Sequence, residues 1–494
     1  MVTIQDLKTM RKRFEQQMEL GRLPIDETPV FVKSRDDAPA LVKTLLEIYK
    51  TPAYADKIFA ILEEKISKGK KKTGRKGLTL WQIFVLAQFR LGLAIDYDRL
   101  HYMVCSDSVL RQLLGIATDI GFEKIEIGYQ RILDNVHLLD DVSLKQINEV
   151  VVSFGHNDVF KKKETEALRL KTDSYVVESN VHFPTDYKLL WDSIRKALDC
   201  VAYFKDKHND IKGWRKIEDW YRSLKNLSRA MGAVSGKGGH NKAERLQSCT
   251  ENYLKKARVF RDKIVADKLT FPEHEPLDIL KKLELEDFIG LIDKHIDLVD
   301  RRVLQGEKIA HQEKLFSIFE RYTEWIAKGK KRPSVELGKK VSITTDQYGL
   351  LVDAYVMENE SDSQIVISTA DRLLPNYEVQ SWRFDKGYWH TDNKELLQTE
   401  VPQVIKPKKG KCNKAEQEEE RSKSFRALRN KHSAIESNIN ELENCGLDRC
   451  PDRGFEGFKR YIGIGVVAYN LKRIGRELLK QERLKAKKKR PNPK

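Results

Sequence analysis

One long interruption of the strand pattern constrains the fold of this chain more than any other sequence feature. Residues 167–177 alternate in polarity and are rich in β-branched and aromatic side chains, which is typical of a strand. From Leu189 to about Arg321 the spacing is helical and the composition is charged, and strand signals resume only at Val341. We therefore expect one sheet that is built around a helical insertion at about 195–320.

The segments after the insertion predict a mixed sheet. Two strands are expected at 341–345 and 350–357, and Asp346-Gln-Tyr-Gly349 between them is a hairpin-like turn. The later predicted elements are a helix at 364–374, a strand at 378–384, a short helix at 393–398, a strand at 403–406, a long charged helix at 415–444 and a last helix at 457–479. This order of strands and helices favours the α/β class with a mixed sheet.

Residues 1–160 contain helical patterns only, which predicts an all-α N-terminal domain. Thr79 or an earlier residue is expected to start an apolar helix, and the Ser106-Asp107 pair predicts an N-cap between two short helices. Two short helices across a tight turn fit a DNA-binding helix-turn-helix, and they fit any helical bundle equally well. Contact of this pair with DNA stays open at this point.

Length and charge limit the number of domains and the kinds of partner. The 494 residues exceed the roughly 250–300 at which single cores stop growing, so two or three units are expected. We divide the chain into the N-terminal domain at 1–160, a sheet domain at 161–480 that holds the insertion, and a basic tail at 481–494. The formal net charge of +17 favours nucleic acid as the partner, ahead of anionic membrane surfaces.

No segment predicts membrane insertion or secretion. The uncharged apolar stretch at 461–469 is far shorter than the ~20 residues that a spanning helix needs. The opening residues show no basic segment followed by an apolar run, so no secretory signal is expected. These features favour a cytoplasmic protein without a membrane partner.

Six cysteines are present, and none forms a C-x-x-C pair. Cys445 and Cys450, together with His432, come closest to a zinc site, but their spacing lacks a second ligand pair. Free thiols in a reducing compartment are the favoured interpretation.

Three carboxylates stand out by their positions. Asp173 lies within the first strand, where an unpaired carboxylate is costly unless a cation or hydrogen-bond donors compensate it. Asp385 directly follows the strand at 378–384 and precedes Gly387, and open α/β sheets place ligand groups at such strand ends. Glu436 lies in the long helix, beside an apolar stripe that would pack on the sheet. The stripe consists of Ile435, Ile439 and Leu442.

Other aspartates near these positions have structural explanations. Asp346 fits the hairpin turn, and Asp362 fits an N-cap for the helix at 364–374. Asp186 is expected to cap the helix that follows it. Asp173 itself has the alternative of an ordinary strand residue paired with a neighbouring lysine.

Further polar and aromatic residues leave alternatives open. Glu441 and Glu443 compete with Glu436 on the same helix, and the register beside the apolar stripe favours Glu436. Asn180 and His182 are candidates to line the site, although a local role in the turn after the strand is favoured. A tryptophan near Asp385, residue 389, is a candidate for stacking on an unpaired base, but a core position is favoured.

Three carboxylates at one place suit phosphodiester chemistry. Cleavage needs an activated water or 3′-hydroxyl, a stabilised leaving oxygen and neutralisation of charge at phosphorus, and two cations roughly 3.5–4 Å apart supply all three. Mg²⁺ prefers oxygen ligands and retains waters, so a few carboxylates and the substrate phosphate suffice to hold it.

Three blocks of this sequence resemble those of bacterial insertion-sequence DDE transposases. The block Lys171-Thr-Asp-Ser-Tyr-Val-Val-Glu-Ser-Asn180, continued to Leu190, resembles their first-aspartate block. The block Phe384-Asp-Lys-Gly-Tyr-Trp-His-Thr-Asp-Asn393 is similar to their second-aspartate block. The block His432-Ser-Ala-Ile-Glu-Ser-Asn-Ile-Asn440, with Ala468-Tyr-Asn-Leu471 later, is similar to their glutamate helix and closing helix. The resemblance spans about residues 75–475.

The resemblance implies an RNase H-like catalytic domain with Asp173, Asp385 and Glu436 as its metal-binding triad. It implies Mg²⁺ as the cofactor, with Mn²⁺ as a substitute, and double-stranded DNA as the partner, namely terminal inverted repeats and target DNA. The expected reaction is cleavage at transposon ends and strand transfer by a nucleoid-associated homodimer or higher assembly. A non-catalytic DNA-binding protein derived from a transposase, and a metal nuclease without strand transfer, are the alternatives.

One departure from related families affects the expected DNA contacts. Those families often have an arginine four residues before the glutamate and a lysine seven after it, whereas His432 and Glu443 occupy these positions here. Arg429, one turn earlier, is a candidate substitute. Basic loops, the helix face beside Glu436 and the tail supply the other expected contacts, because phosphates attract exposed cations. The full set is Lys70, Lys71, Lys72, Arg75, Lys76, Arg429, His432, Asn440, Lys487 and Lys488.

Overall fold

The chain folds into two compact units. The computed structural model describes residues 11–14, 20–67, 77–208, 211–327, 334–430 and 434–488. One unit consists of residues 1–180 and 338–494, and the other of residues 181–337. Residues 1–160, predicted as a domain of their own, thus lie in the same unit as the sheet. The insertion predicted at 195–320 lies within the second unit, which extends beyond it at both ends.

Most strands belong to one sheet of the first unit. In chain order the strands are β1 Leu168–Ser179, β2 Glu324–Ala327, β3 Val335–Thr345, β4 Leu351–Val356, β5 Val379–Phe384, β6 Gln403–Ile405 and β7 Arg449–Cys450. Five of them form the main sheet in the spatial order β4-β3-β1-β5-β6. The short β7 pairs with the end of β1, and β2 lies in the second unit.

β1 is the central strand, and its two neighbours run in opposite directions. β3 pairs with it antiparallel, with Ile343 opposite Asp173, and β5 pairs with it parallel, with Phe384 opposite Thr172. β4 continues antiparallel on the β3 side, and β6 continues parallel on the β5 side. The predicted α/β class with a mixed sheet is confirmed.

Helices alone precede the sheet among the described residues. They are α1 Ala38–Lys50, α2 Pro52–Ser67, α3 Leu80–Gly92, α4 Tyr97–Ser106, α5 Ser108–Leu113, α6 Tyr129–Val136 and α7 Asp141–Phe154. Thr79 caps α3 in a reciprocal capping box with Gln82. Asp107 caps α5 by accepting a hydrogen bond from the amide of Leu110 at 2.8 Å. Both predicted helix starts are confirmed.

The second unit is built from long helices around an aromatic core. They are α8 Asp186–Lys207, α9 Ile217–Gly236, α10 Lys242–Asp267 and α11 Pro276–Val299. The largest buried side chains of its core are Phe204, Trp214, Tyr253 and Phe260. The cap predicted for Asp186 is wrong, because Thr185 is the N-cap of α8 and Asp186 is its first residue. The Asp186 carboxylate accepts instead from the Arg302 guanidinium at 2.8 Å.

Among the helices after the insertion, the predicted long charged helix is divided into shorter ones, whereas the short helix predicted at 393–398 and the last helix are longer than predicted. They are α12 Ile365–Leu373, α13 Thr391–Glu400, α14 Lys414–Arg421, α15 Lys423–Asn430, α16 Ala434–Leu442 and α17 Phe455–Lys488. The single helix predicted at 415–444 is wrong at Ser422, whose hydroxyl accepts from the amide of Phe425 at 3.2 Å. Ser422 thus acts as an N-cap that starts α15 anew, a role that suits serine better than a helix interior.

α17 joins the N-terminal helices to the sheet. This helix of 34 residues packs against α1, α3, α7 and β4. Its buried Asn470 accepts from the amide of Leu351 at 2.8 Å and donates to the carbonyl of Leu351 at 2.9 Å, so it satisfies the backbone of the outer strand β4. No helix in the described part of the chain has both the length and the apolar character that a membrane crossing requires.

α17 packs closely against α1 at a glycine, and this contact supports a stability prediction. A Cβ atom on Gly475 would lie 1.9 Å from the carbonyl oxygen of Ala40, so Gly475→Ala must push two helices apart. We expect it to lower the free energy of unfolding by about 1–3 kcal/mol or more in urea denaturation. Gly290→Ala is the matched control, because Gly290 is also helical and has open space around it. It should leave stability unchanged or raise it by about 0.5–1 kcal/mol. Equal effects would contradict the packing argument.

Candidate active site

Asp173 and Asp385 lie side by side on neighbouring parallel strands. Because Thr172 is opposite Phe384, these two aspartates are the next residues along β1 and beyond β5. Adjacent strands are about 4.8 Å apart, so both carboxylates occur at one level of the sheet. Asp173 is partly buried, and Asp385, where β5 ends, is exposed.

Glu436 lies in the first turn of α16, a helix that packs against β1. Ile435 and Leu442 are fully buried, and Ile439 is half-buried, which confirms the apolar stripe predicted on this helix. Glu436 itself is exposed. The packing of the stripe therefore leaves this carboxylate outside the core.

Asp173 lies within reach of the charges of three other carboxylates. The pKa of Asp173 is raised to about 7, mainly because the carboxyl is buried, and the negative charges of Asp385, Asp362 and Glu436 act in the same direction. The backbone amide of Ser174 donates to Asp173 at 2.8 Å and opposes this shift. Carboxylates from three other segments of the chain thus lie near enough to act on one buried group.

Asp362 is a fourth carboxylate of this cluster, and the cap predicted for it is wrong. The N-cap position of α12 is occupied by Gln364, and no side chain caps the helix there. Instead, one oxygen of Asp362 accepts from the hydroxyl of Ser174 at 2.6 Å, and the other accepts from the ammonium of Lys340 at 3.1 Å. These donors on β1 and β3 hold Asp362 against the sheet.

Gly387 allows the turn after Asp385 to pass close to Asp362. A Cβ atom at position 387 would lie 2.9 Å from Oδ2 of Asp362. The amide of Tyr388 donates to the carbonyl of Asp385 at 3.2 Å, and its buried ring closes the turn. Burial raises the pKa of the Tyr388 hydroxyl, and the nearby charges of Asp362 and Asp173 add to that effect. The hydroxyl therefore stays neutral beside the carboxylates.

The donor set fits a hard divalent cation. Asp173, Asp385 and Glu436 supply carboxylate oxygens, which are the ligands that Mg²⁺ prefers. In the described part of the chain, no three His, Cys, Asp or Glu side chains stand close enough together to form a ready-made ion site.

The competing carboxylates have structural partners. Asp346 accepts from the amides of Tyr348 and Leu350 at 2.8 and 2.9 Å, and it lies 2.6 Å from Nε2 of His156. The turn role predicted for Asp346 is confirmed. On α16, Glu441 forms an ion pair with the Arg476 guanidinium of α17, which accounts for this rival of Glu436.

The residues expected to contact DNA are divided between described and undescribed segments. Arg429 on α15, Asn440 on α16, and Lys487 and Lys488 at the end of α17 are exposed, as phosphate contact requires. The other candidates lie outside the described residues; they are Lys70, Lys71, Lys72, Arg75, Lys76 and His432. Contact of all ten with DNA stays a prediction.

The described contacts of Asn180, His182 and Trp389 do not involve the carboxylates around Asp173. Asn180 is exposed, and His182 lies 3.4 Å from Asp192 within the second unit. Trp389 is only partly buried, so the core position favoured for it is not observed, and two lysine ammonium groups lie 5.8 and 5.9 Å from its ring. All six cysteines are free thiols, and the sulfur of Cys445 lies 3.2 Å from the ammonium of a buried lysine.

Lys406 is a buried cation near the cluster that the sequence analysis did not single out. It directly follows β6, so it is level with Phe384, the residue before Asp385. Its ammonium has no hydrogen-bond partner among the described residues and lies 5.5 Å from the ring centre of Phe384. Burial lowers the pKa of Lys406 to about 8. Residues 406–411 contain four lysines, separated by Pro407 and Gly410, so composition does not distinguish Lys406. Its position directly after a strand is the only sequence signal that could have indicated burial.

A comparison with known protein families finds a match for part of this chain. Residues 297–471 match the family described as Transposase DDE domain, and the match contains Asp385 and Glu436 but begins after Asp173. Residues 297–471 are therefore similar to a transposase DDE domain, and a helical N-terminal region followed by a mixed sheet with helices is consistent with an RNase H-like α/β fold. Neither the curated proteins nor the solved structures gave a match.

The charge of Asp362 gives a prediction for metal binding. Asp362→Asn should weaken Mn²⁺ binding roughly fivefold, because one nearby negative charge contributes on the order of 1 kcal/mol at this degree of burial. Asp173→Asn, which removes one of the carboxylates expected to bind the metal, should weaken it by more than about tenfold. Asp371→Asn on α12 is the matched control, because Asp371 is exposed. Titration calorimetry measures all three Mn²⁺ affinities. An unchanged affinity in Asp362→Asn would show that the Asp362 charge does not act on the bound cation.

Burial of Lys406 without a partner gives a prediction for stability. Lys406→Met should raise the free energy of unfolding at pH 7 by about 1–3 kcal/mol, because a buried, unpaired charge is replaced by an apolar chain of similar length. The folded pKa lies below the unfolded one, so stability of the native chain should rise with pH between about 8 and 10.4, the usual lysine value, and Lys406→Met should lack this rise. The control is Lys408→Met, because Lys408 is paired with Glu416 at 2.7 Å and should show no gain. Urea denaturation at several pH values tests both variants.

Proposed function

We propose that this protein is a DNA transposase that cleaves DNA at transposon ends and transfers the strands into target DNA. The observation that carries the proposal is that the charges of Asp385, Glu436 and Asp362 act on Asp173, while residues 297–471, which include Asp385 and Glu436, match a transposase DDE domain. The net charge of +17 supports a polyanionic substrate. The family match supports the class, and the reaction on this chain is our inference.

In the proposed mechanism, Asp173, Asp385 and Glu436 hold divalent cations, with Mg²⁺ as the physiological ion and Mn²⁺ as its substitute. When bound, such cations activate the attacking oxygen and stabilise the leaving one. Asp173 and Asp385 supply the fixed ligands, because the sheet holds both. Glu436 supplies the adaptable ligand, since it stands exposed at the start of α16.

Asp362 acts as a positioning residue in this proposal. Its hydrogen bond from Ser174 fixes the residue that follows Asp173, and its bond from Lys340 ties it to β3. Both contacts limit the freedom of the Asp173 carboxylate, which is the ligand that the other charges surround. Geometric restriction of this kind raises the effectiveness of a metal ligand.

The proposed partner is double-stranded DNA, in the form of terminal inverted repeats and a target. The ten exposed or undescribed residues named above, from Lys70 to Lys488, are the proposed contacts. Two ends must be held together for strand transfer, so we propose a homodimer or higher assembly on DNA. The proposed location is the cytoplasm, in association with the nucleoid.

The test is cleavage and joining of end-labelled DNA that carries the element's own termini. We expect Mg²⁺-dependent nicks and joined products from the native chain, and a loss of at least about 100-fold in rate for Asp173→Asn, Asp385→Asn and Glu436→Gln. Glu443→Gln is the matched control for the helix substitution, since Glu443 is exposed one residue after α16, and it should retain activity.

Each other outcome identifies an alternative. Nicks without joined products would leave a metal nuclease that lacks strand transfer. Binding without any cleavage would leave a non-catalytic DNA-binding protein. Full activity in Asp173→Asn would end the proposal that the clustered carboxylates hold the metal.

A further inference from the structure

The second unit carries an exposed basic surface that the proposed chemistry does not use. It extends along α9 and into the turn that joins α9 to α10, and no acidic residue occurs from Trp220 to Ala243. We call it the basic tip, and it consists of Arg222, Lys225, Arg229, Lys237, Lys242 and Arg245. All are exposed except Lys225, which is half-buried with its ammonium 5.1 Å from the ring centre of Tyr221.

The tip has a regular geometry on α9. Arg222, Lys225 and Arg229 are three and four residues apart, so they form one face of the helix. Leu224 and Met231 are buried in the helical core and anchor the other face. The basic face is about 10 Å long at 1.5 Å per residue, which is roughly the length of three successive phosphates on one DNA strand.

The cations of the tip differ from the other cations of the same unit. Among the described residues, none of the six tip residues forms an ion pair with a carboxylate. Many of the other cations of the unit, though not all, lie within 4 Å of an acidic side chain; the paired ones include Lys207, Arg258, Arg261, Lys263, Lys268, Lys281, Lys282, Arg301 and Arg302. Positive charge is therefore neutralised over much of this unit and left free at the tip.

The loop between α9 and α10 is open to a polyanion. A Cβ atom on Gly236 or Gly238 would meet no atom within 4 Å, and Gly239 has a φ of +112°. Backbone amides in such a glycine-rich turn can approach phosphate oxygens directly. In the described residues from 184 to 258, no large hydrophobic side chain is exposed. An apolar interface core of the kind that protein partners use is therefore missing there.

We infer that the basic tip binds the phosphate backbone of double-stranded DNA without reading its sequence. The inference rests on the proposed function only in taking DNA as the substrate, and it extends that function by giving the helical unit a DNA-binding role. Charge, spacing and open backbone all fit phosphate contacts, and no tip residue is placed to need a particular base. The tip adds affinity for any duplex.

The experiment uses the full-length chain and a short duplex of arbitrary sequence, in EDTA so that no cleavage occurs. Binding is followed by fluorescence anisotropy over a series of salt concentrations. Arg222→Gln, Arg229→Gln and Lys237→Gln are combined in one tip variant. The combination should reduce the slope of log affinity against log salt by about 2–3, because each phosphate contact contributes about 0.9. It should also weaken binding by more than about tenfold at 0.1 M salt.

The matched control removes three paired cations of the same unit. Arg258→Gln, Arg261→Gln and Lys263→Gln change the net charge equally, but their partners are Asp300, Asp293 and Asp267. The slope should change by less than about 0.5 in this control. An equal fall in both variants, or an unchanged slope in the tip variant, would overturn the inference, as would a native chain that does not bind the duplex. Thermal melting of each variant verifies that the unit is folded.

The two proposals fail separately in this design. Asp173→Asn should keep the full salt slope while it loses cleavage, because the carboxylate does not belong to the tip. Native cleavage with an unchanged slope in the tip variant would reject the tip alone. A reduced slope without any cleavage by the native chain would reject the transposase chemistry alone.

Discussion

Carboxylates that share one place repel one another, and the arrangement around Asp173 is governed by how the fold offsets that repulsion. Burial, more than the neighbouring charges, raises the pKa of Asp173 to about 7 and so favours its protonated form near neutral pH. Ser174 and Lys340 hold Asp362 through hydrogen bonds, and Glu436 remains in solvent. Each of these arrangements lowers the concentration of negative charge in the absence of a cation. A divalent cation would reverse the balance, because it favours ionised carboxylates at short range.

The sheet and the cluster could be predicted where local pattern and local chemistry agree. β1 has an alternating, β-branched sequence, and the end of β5 is marked by Asp385 before a glycine turn. The apolar stripe of α16 follows from helical spacing alone, which is why Glu436 could be separated from Glu441 and Glu443 before any contact was known. Helix caps at Thr79 and Asp107 likewise depend on two or three adjacent residues.

The rest depended on partners that are remote in sequence. Asp362 looked like a helix cap because its neighbours allow one, yet its actual donors are Ser174 and Lys340 on other strands. Lys406 resembles the other lysines near it, and only the pairing of β6 with β5 places it under Phe384. The helix breaks at Ser422 because its hydroxyl caps the next helix. Helix propensity of the surrounding residues does not reveal such a break.

The position of β1 has a consequence for how the protein is made. During translation β1 emerges before either of its neighbours, because the whole second unit separates it from β3 and β5 follows later still. The second unit has its own core and can form in that interval, whereas the central strand waits unpaired. Asp385 and Glu436 are synthesised last. A chain still on the ribosome therefore has Asp173 in place before the other carboxylates of the cluster can reach it.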